Sequence, residues 1–198
     1  MADLRNDSPD GNSASHGAHR RKSDIIRRMV ANHCHIREET PDDQEQVRRV
    51  NEAAFGRADE ADLVDQLRAE NVVLASLVAE SDSEIFGHIL FTRMSIESDG
   101  ARIPAVALAP LAVLPQHQRK GIGGELIRKG LDLLRKRGEE IVIVLGHPDY
   151  YPHFGFSCES ARCLESPFPP EAYMALALKQ GALSGVRGSV KYPAAFGL

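Results

Sequence analysis

Gln118-Arg119-Lys120-Gly121-Ile122-Gly123-Gly124 separates two segments of opposite character. Val106 to Leu114 before it is an apolar run, and an amphipathic run follows it out to Arg137, where Gly138 closes it. Strand, glycine-rich turn and helix in that order aim unpaired backbone N–H groups at an anion. The first turn of a helix leaves its N–H groups without intrahelical acceptors, and the aligned peptide dipoles add partial positive charge there. Glycine removes the Cβ that would hold an anion off the backbone. Arg119 and Lys120 add full charges at the rim.

Two better-known phosphate loops are excluded. A Walker-type loop requires G-x-x-x-x-G-K-[ST], and the chain contains no such run. The dinucleotide fingerprint G-x-G-x-x-G is met at Gly121 and Gly123, but Leu126 stands where its third glycine belongs. What is left is Q-x-x-G-x-G, read as Gln118, Gly121 and Gly123. Taken alone, those six residues also suit an ordinary helix start that uses glycines for its turn.

The chain has 198 residues, 42% of them hydrophobic and 26% charged, enough for one domain with a sizeable core plus a tail. The net charge of -4 carries no general affinity for nucleic acid. No apolar run approaches the ~20 residues of a membrane helix. Asp3, Asp7 and Asp10 stand where a signal peptide would be basic and then apolar, so cytoplasmic residence is the expectation. The three cysteines, Cys34, Cys158 and Cys163, are too few and odd in number for a disulfide framework. With His33, His35 and His153 they match no zinc-ligand spacing, so no metal is expected and free thiols are.

Residues 1–33 are rich in Asp, Ser, Asn, Gly, His and Arg, with almost no large apolar residue before Ile25, and read as a disordered N-terminal arm. Ile25 to Val30 could form a short helix within it, and Arg20-Arg21-Lys22 reads as a solvated cluster. Residues 34–198 read as a single domain. A short strand is expected over Cys34 to Glu38. Thr40-Pro41-Asp42-Asp43 marks a helix start, with a capping hydroxyl, a proline at the first helical position and two acids at the positive end. Val47, Val50 and Ala54 share one face of that helix, and a second helix fits Asp59 to Glu70 with Leu63, Val64 and Leu67 inward. Three strands follow, Val72 to Glu80, Ile85 to Ile96 and Arg102 to Leu114, joined by links short enough to make antiparallel hairpins. Pro110 cannot donate to a ladder, so it marks an edge, a bulge or a point where pairing stops.

Ile122, Leu126, Ile127, Gly130, Leu131 and Leu134 form the apolar stripe of the helix after the glycine loop. Ile141 to Leu145 is a fully apolar strand that should pair in parallel with the strand before the loop through a right-handed crossover. Further strands are expected over Phe156 to about Cys163, Ala172 to Leu178 and Val186 to Tyr192, with a turn or short helix around Gly181. The stretch from residue 164 to 198 is a C-terminal extension that completes the sheet.

The loop and the element order together resemble the GNAT N-acetyltransferase superfamily, over residues 34 to about 160. A second motif agrees: Tyr150-Tyr151-Pro152-His153-Phe154-Gly155-Phe156 is similar to the Phe-Tyr-x-x-x-Gly-Phe pattern of many members. The phrase from Leu145 to Phe156, with the long extension, looks most like the YhbS-like branch. The resemblance implies an α/β (α+β) acyl-CoA N-acyltransferase fold: a mixed central sheet, a bulge and splay between its fourth and fifth strands, and helices on both faces. It implies acetyl-CoA as co-substrate, with pantetheine in the splay near Leu111, Ala112 and Val113. The diphosphate would lie on Gln118, Arg119, Lys120, Gly121, Ile122, Gly123 and Gly124. Tyr151 takes the place of the tyrosine that protonates the departing thiolate. Tyr150 is expected to pack in the core.

That reaction also needs a base to take a proton from the incoming amine. His147 and Asp149 follow the buried strand, at the sheet end where ligands gather. Glu80 and His88 on neighbouring strands are the other candidates. The asparagine that many members carry after the fifth strand is replaced here by Gly146-His147-Pro148. No acid lies between Val106 and Leu114, so a glutamate base on that strand is not evident. No cysteine holds an evident acyl-enzyme position, which favours direct transfer in a ternary complex to a primary amine. A small amine, an amino acid, an aminoglycoside or a protein terminus all suit as acceptor, and a homodimer through the C-terminal strands is conceivable. Two other readings use the same loop: a non-catalytic acyl-CoA sensor or partner module, and a nucleotide or phosphopeptide binder. The last is disfavoured because no magnesium-holding Ser or Thr follows Lys120.

Overall fold

Pro41–Asp43 forms a single 3-10 turn rather than the first turn of the helix itself, capped by Thr40, whose N–H donates to the Asp43 carboxylate at 2.7 Å. The computed structural model describes residues 34–198, so the arm expected over 1–33 lies outside the described residues. After β1 (His35–Glu38) come α1 (Gln44–Phe55) and α2 (Asp59–Ala69), then three long strands, β2 (Val73–Ser81), β3 (Glu84–Ser98) and β4 (Ala101–Val113). The glycine loop leads into α3 (Ile122–Lys136), followed by β5 (Ile141–Leu145), β6 (Leu164–Glu165), β7 (Tyr173–Ala177) and β8 (Gly188–Lys191). Among the described residues no helix is long and apolar enough to cross a membrane.

The sheet order is β1-β2-β3-β4-β5-β7, with β8 beside the far end of β3 and β6 beside β8. Neighbours from β1 to β4 are antiparallel, as the short hairpin links require. β4 and β5 run parallel, with the α3 crossover between them, and pair only from Val106↔Val142 to Leu108↔Val144. Pro110 is not at a sheet edge. Ile89 pairs with Leu111 while Phe91 pairs with Leu108, so Ala109 and Pro110 oppose Leu90 alone in a bulge. The parallel ladder stops at the same level, and β4 runs on to Val113 without β5. The splay expected between the fourth and fifth strands is therefore present.

Side chains alternate across the sheet and divide the core in two. Gly87 and Phe91 turn toward α3: a Cβ on Gly87 would sit 3.1 Å from Leu126, and the Phe91 ring rests on Gly130. All six stripe residues of α3 are buried. On the other face Val47, Val50, Val64 and Leu67 of α1 and α2 pack on Val78, Leu90 and Ala112. Farther along the sheet Met94, Ile96, Ala105, Ala107, Ile141 and Ile143 are covered by the C-terminal extension, and Phe196 touches both clusters.

One strand expected from sequence is absent. Phe156 to Cys163 contributes one bridge, Ser157↔Ala175, and then turns into a single helical turn, Cys158–Ala161. Ser157 explains the switch, because its hydroxyl accepts the Ser160 N–H at 3.0 Å and caps that turn. The last strand is shorter than expected, and the two-residue β6 beside it has no counterpart in the sequence reading.

Candidate active site

The glycine loop is a row of unused donors. From Arg119 through Gly124 no backbone N–H meets an acceptor among the described residues, and the next N–H, that of Glu125, bonds to Gly121 O at 3.1 Å. Arg119 (φ 59°) and Gly121 (φ 92°) lie in the left-handed region, a turn conformation that gathers successive N–H groups into one concavity. Arg119 and Lys120 are exposed at its rim. Gln118 does different work: its Nε2 donates to Val113 O at 3.0 Å and ties the loop to the end of β4.

That tie also orients the opening between β4 and β5. The Leu114 N–H donates to Phe86 O on β3 at 2.9 Å. Because successive groups on a strand face opposite sides, Val113 and Leu111 point their N–H groups away from β3, toward the opening. The capture of Val113 O by Gln118 on that side agrees. Ala112 turns the other way, its N–H toward β3 and its side chain 1% exposed beneath α1, so it offers the opening nothing.

Beyond β5 the two tyrosines lie in different surroundings. Tyr151 is 8% exposed, with its ring against Gly146 and edge-on to Phe156. Burial, and then the neighbouring Tyr150, push its phenol well above the ordinary tyrosine range. Tyr150, expected in the core, is exposed, and its hydroxyl stands over Gly123. Phe154 fills the space beside Gly124 and lies under the Arg128 guanidinium, 5.2 Å from its ring centre. Arg128 follows Gly124 by one helical turn, and that spacing by itself places it beside the start of α3.

The four candidate bases separate. His147 and Asp149 are exposed just past the end of β5, and the His147 carbonyl accepts the Tyr150 N–H at 3.0 Å. Glu80 is engaged by Arg37 at 2.7 Å, which also holds Asp43 at 2.6 Å. Arg37 keeps the Glu80 carboxyl below its usual range. His88 is wholly buried, with Nδ1 3.1 Å from Asn51 Nδ2 and Nε2 3.0 Å from Ser76 Oγ. Glu39 lies behind it, bonded to Ser76 and Arg68. Glu80 thus sits in a surface ion-pair cluster and His88 in a largely buried polar network. Among the described residues no three of His, Cys, Asp and Glu gather as a metal site.

A family model described as an acetyltransferase (GNAT) domain matches residues 35–158. The uncharacterised N-acetyltransferase YjhQ of Escherichia coli K12 is 38% identical over 156 residues, which cover 77% of this chain and 86% of that protein. YhbS of the same organism is 32% identical over 160 residues, covering 79% of this chain and 95% of its own. The crystal structure of Escherichia coli YhbS in complex with CoA superposes with a TM-score of 0.78 at 31% identity, over 84% of this chain and 93% of that one. A GNAT acetyltransferase from Brucella melitensis in complex with acetyl-CoA gives 0.70 at 38% identity, over 83% and 98%.

Proposed function

This chain belongs to the GNAT acetyltransferase family, and from that membership we propose that it transfers an acetyl group from acetyl-CoA to a primary amine by direct attack in a ternary complex. The observation that carries the reading is the row of free N–H groups from Arg119 to Gly124, set beside an opening in the sheet. A diphosphate suits such a row, which offers several donors and no Cβ at Gly121, Gly123 and Gly124. The two relatives solved with CoA and acetyl-CoA support it.

The co-substrate supplies an acyl group activated as a thioester; the other tasks fall to this chain. The N–H groups of Leu111 and Val113 face the opening, where a donor stabilises negative charge growing on the acyl oxygen. Tyr151 returns a proton to the departing sulfur. Its raised pKa keeps the phenol protonated at neutral pH, at the expense of acid strength. His147 and Asp149 are the exposed groups at the sheet end that can accept the amine's proton, directly or through water. Direct attack, rather than an acyl-enzyme, is favoured because none of Cys34, Cys158 and Cys163 lies on β4, the glycine loop or α3.

Calorimetry with CoA, together with thiol release from acetyl-CoA across a library of primary amines, tests this reading. Saturable CoA binding and amine-dependent release are expected. Binding of ATP in preference to CoA, or a silent release assay across the library despite tight CoA binding, would overturn it in favour of a nucleotide binder or a sensor.

A further inference from the structure

Tyr150 lies where its hydroxyl can take part in holding the cofactor. A Cβ on Gly123 would be 2.9 Å from that hydroxyl, and 3.7 and 3.9 Å from the side chains of Leu111 and Val113. The phenol therefore reaches from the β5 side of the opening to the first turn of α3, opposite the end of β4. The N–H groups of Ile122, Gly123 and Gly124 at that turn have no acceptor among the described residues. The ring is held by two edge-on contacts, to Tyr151 at 5.4 Å and to Phe154 at 5.3 Å between centres. Yet 38% of the residue is exposed. Partial burial raises its pKa, against a smaller lowering by Arg128.

We propose that Tyr150 is a cofactor-binding residue, its hydroxyl donating a hydrogen bond to the diphosphate seated on the α3 turn. The inference rests on the acetyl-CoA reading above and adds a side-chain donor to a cradle otherwise built of backbone. It gives position 123 a second reason to be glycine: the phenol and the anion approach the same Cα. It also separates the paired tyrosines, Tyr150 serving the phosphates and Tyr151 the sulfur.

Tyr150→Phe removes the hydroxyl and keeps the ring packing. The two donors to compare are acetyl-CoA and S-acetylpantetheine, which has the same thioester and no phosphate. The variant should bind CoA roughly tenfold more weakly, the size expected for one hydrogen bond to an anion. KM for acetyl-CoA should rise with kcat unchanged, and kcat/KM for S-acetylpantetheine should stay at the wild-type value. Unchanged CoA affinity would overturn the proposal while leaving the acetyl-CoA reading intact. A fall in kcat with both donors would also overturn it, making Tyr150 a proton donor. A wild-type protein that does not bind CoA would overturn both.

Discussion

The ring of Tyr151 occupies the space that a side chain on Gly146 would need: a Cβ there would lie 2.0 Å from Cε2 and 2.6 Å from Cδ2. Gly146 is not among the glycines with positive φ, so the close ring, not the backbone conformation, requires glycine. Gly146→Ala should push Tyr151 out of place. Steady-state kinetics should show kcat reduced toward that of Tyr151→Phe, while calorimetry shows CoA affinity within a few-fold of wild type. Full activity in Gly146→Ala would mean that the position of Tyr151 does not matter.

Tyr151→Phe itself should lower kcat by about 10²-fold, the usual scale of a positioned general acid, with CoA binding preserved. The pH profile carries a second signature. Because the Tyr151 pKa is raised, its proton is retained through pH 10, and the wild-type rate should show no alkaline loss attributable to this phenol near the ordinary tyrosine value. An unchanged kcat in the Phe variant would remove Tyr151 from the reaction.

Arg119 and Lys120 are exposed, so salt screens their pull on a phosphate. Arg119→Gln and Lys120→Gln should each raise KM for acetyl-CoA by roughly two- to fivefold at low ionic strength. The difference from wild type should shrink in high salt. A salt-independent difference would point to loop geometry rather than charge.

The α3 face offers a stability test remote from the site. A Cβ on Gly130 would come 2.2 Å from Cε2 of Phe91, a residue with 0% exposure. Gly130→Ala should destabilise the domain by about 1–3 kcal/mol through overpacking, despite the better helix propensity of alanine. Chemical denaturation would measure this, and Phe91→Leu in the same background should recover part of the loss. A more stable Gly130→Ala would show that the ring moves aside freely.

His88 makes the fold sensitive to acid. Burial lowers its pKa below the ordinary value, against the upward pull of Glu39 and with a small further push from Arg68. The unfolded chain therefore takes up this proton first. The resulting stability is complete above about pH 6.5 and declines as pH falls toward the folded-state pKa. Glu39 adds a second decline at lower pH. Burial opposes its carboxylate, but His88, Ser76 and the Arg68 charge hold its pKa below the usual range. Unfolding free energies from denaturant titrations should fall between pH 6.5 and 5, and His88→Gln should flatten that interval. A pH-independent wild type over this range would remove His88 as the cause.

Much of the frame is legible along the chain because its signals are local. The α3 stripe, the turns at Asp82-Ser83 and Asp99-Gly100 and the break at Pro110 each depend on residues within a few positions of one another. Ser157 is also a readable N-cap residue, and the strand expected from Phe156 gives way to the turn it caps. Glu80 and His88 could not be judged locally. Arg37, Asn51, Ser76 and Glu39 tie them into other interactions, and these partners come from β1, the link after it, β2 and α1. The same applies to Tyr150, whose position beside the glycine loop depends on how the chain after β5 packs against α3.

The chain order alone settled that an apolar strand runs into a glycine turn and an amphipathic helix, since hydrophobic period and the missing Cβ atoms act over one or two turns of backbone. Which tyrosine faces the loop and which candidate acids and bases are taken up by other partners were settled by folding. Each depends on atoms brought within a few ångströms from distant segments, and no spacing within a single segment encodes that approach.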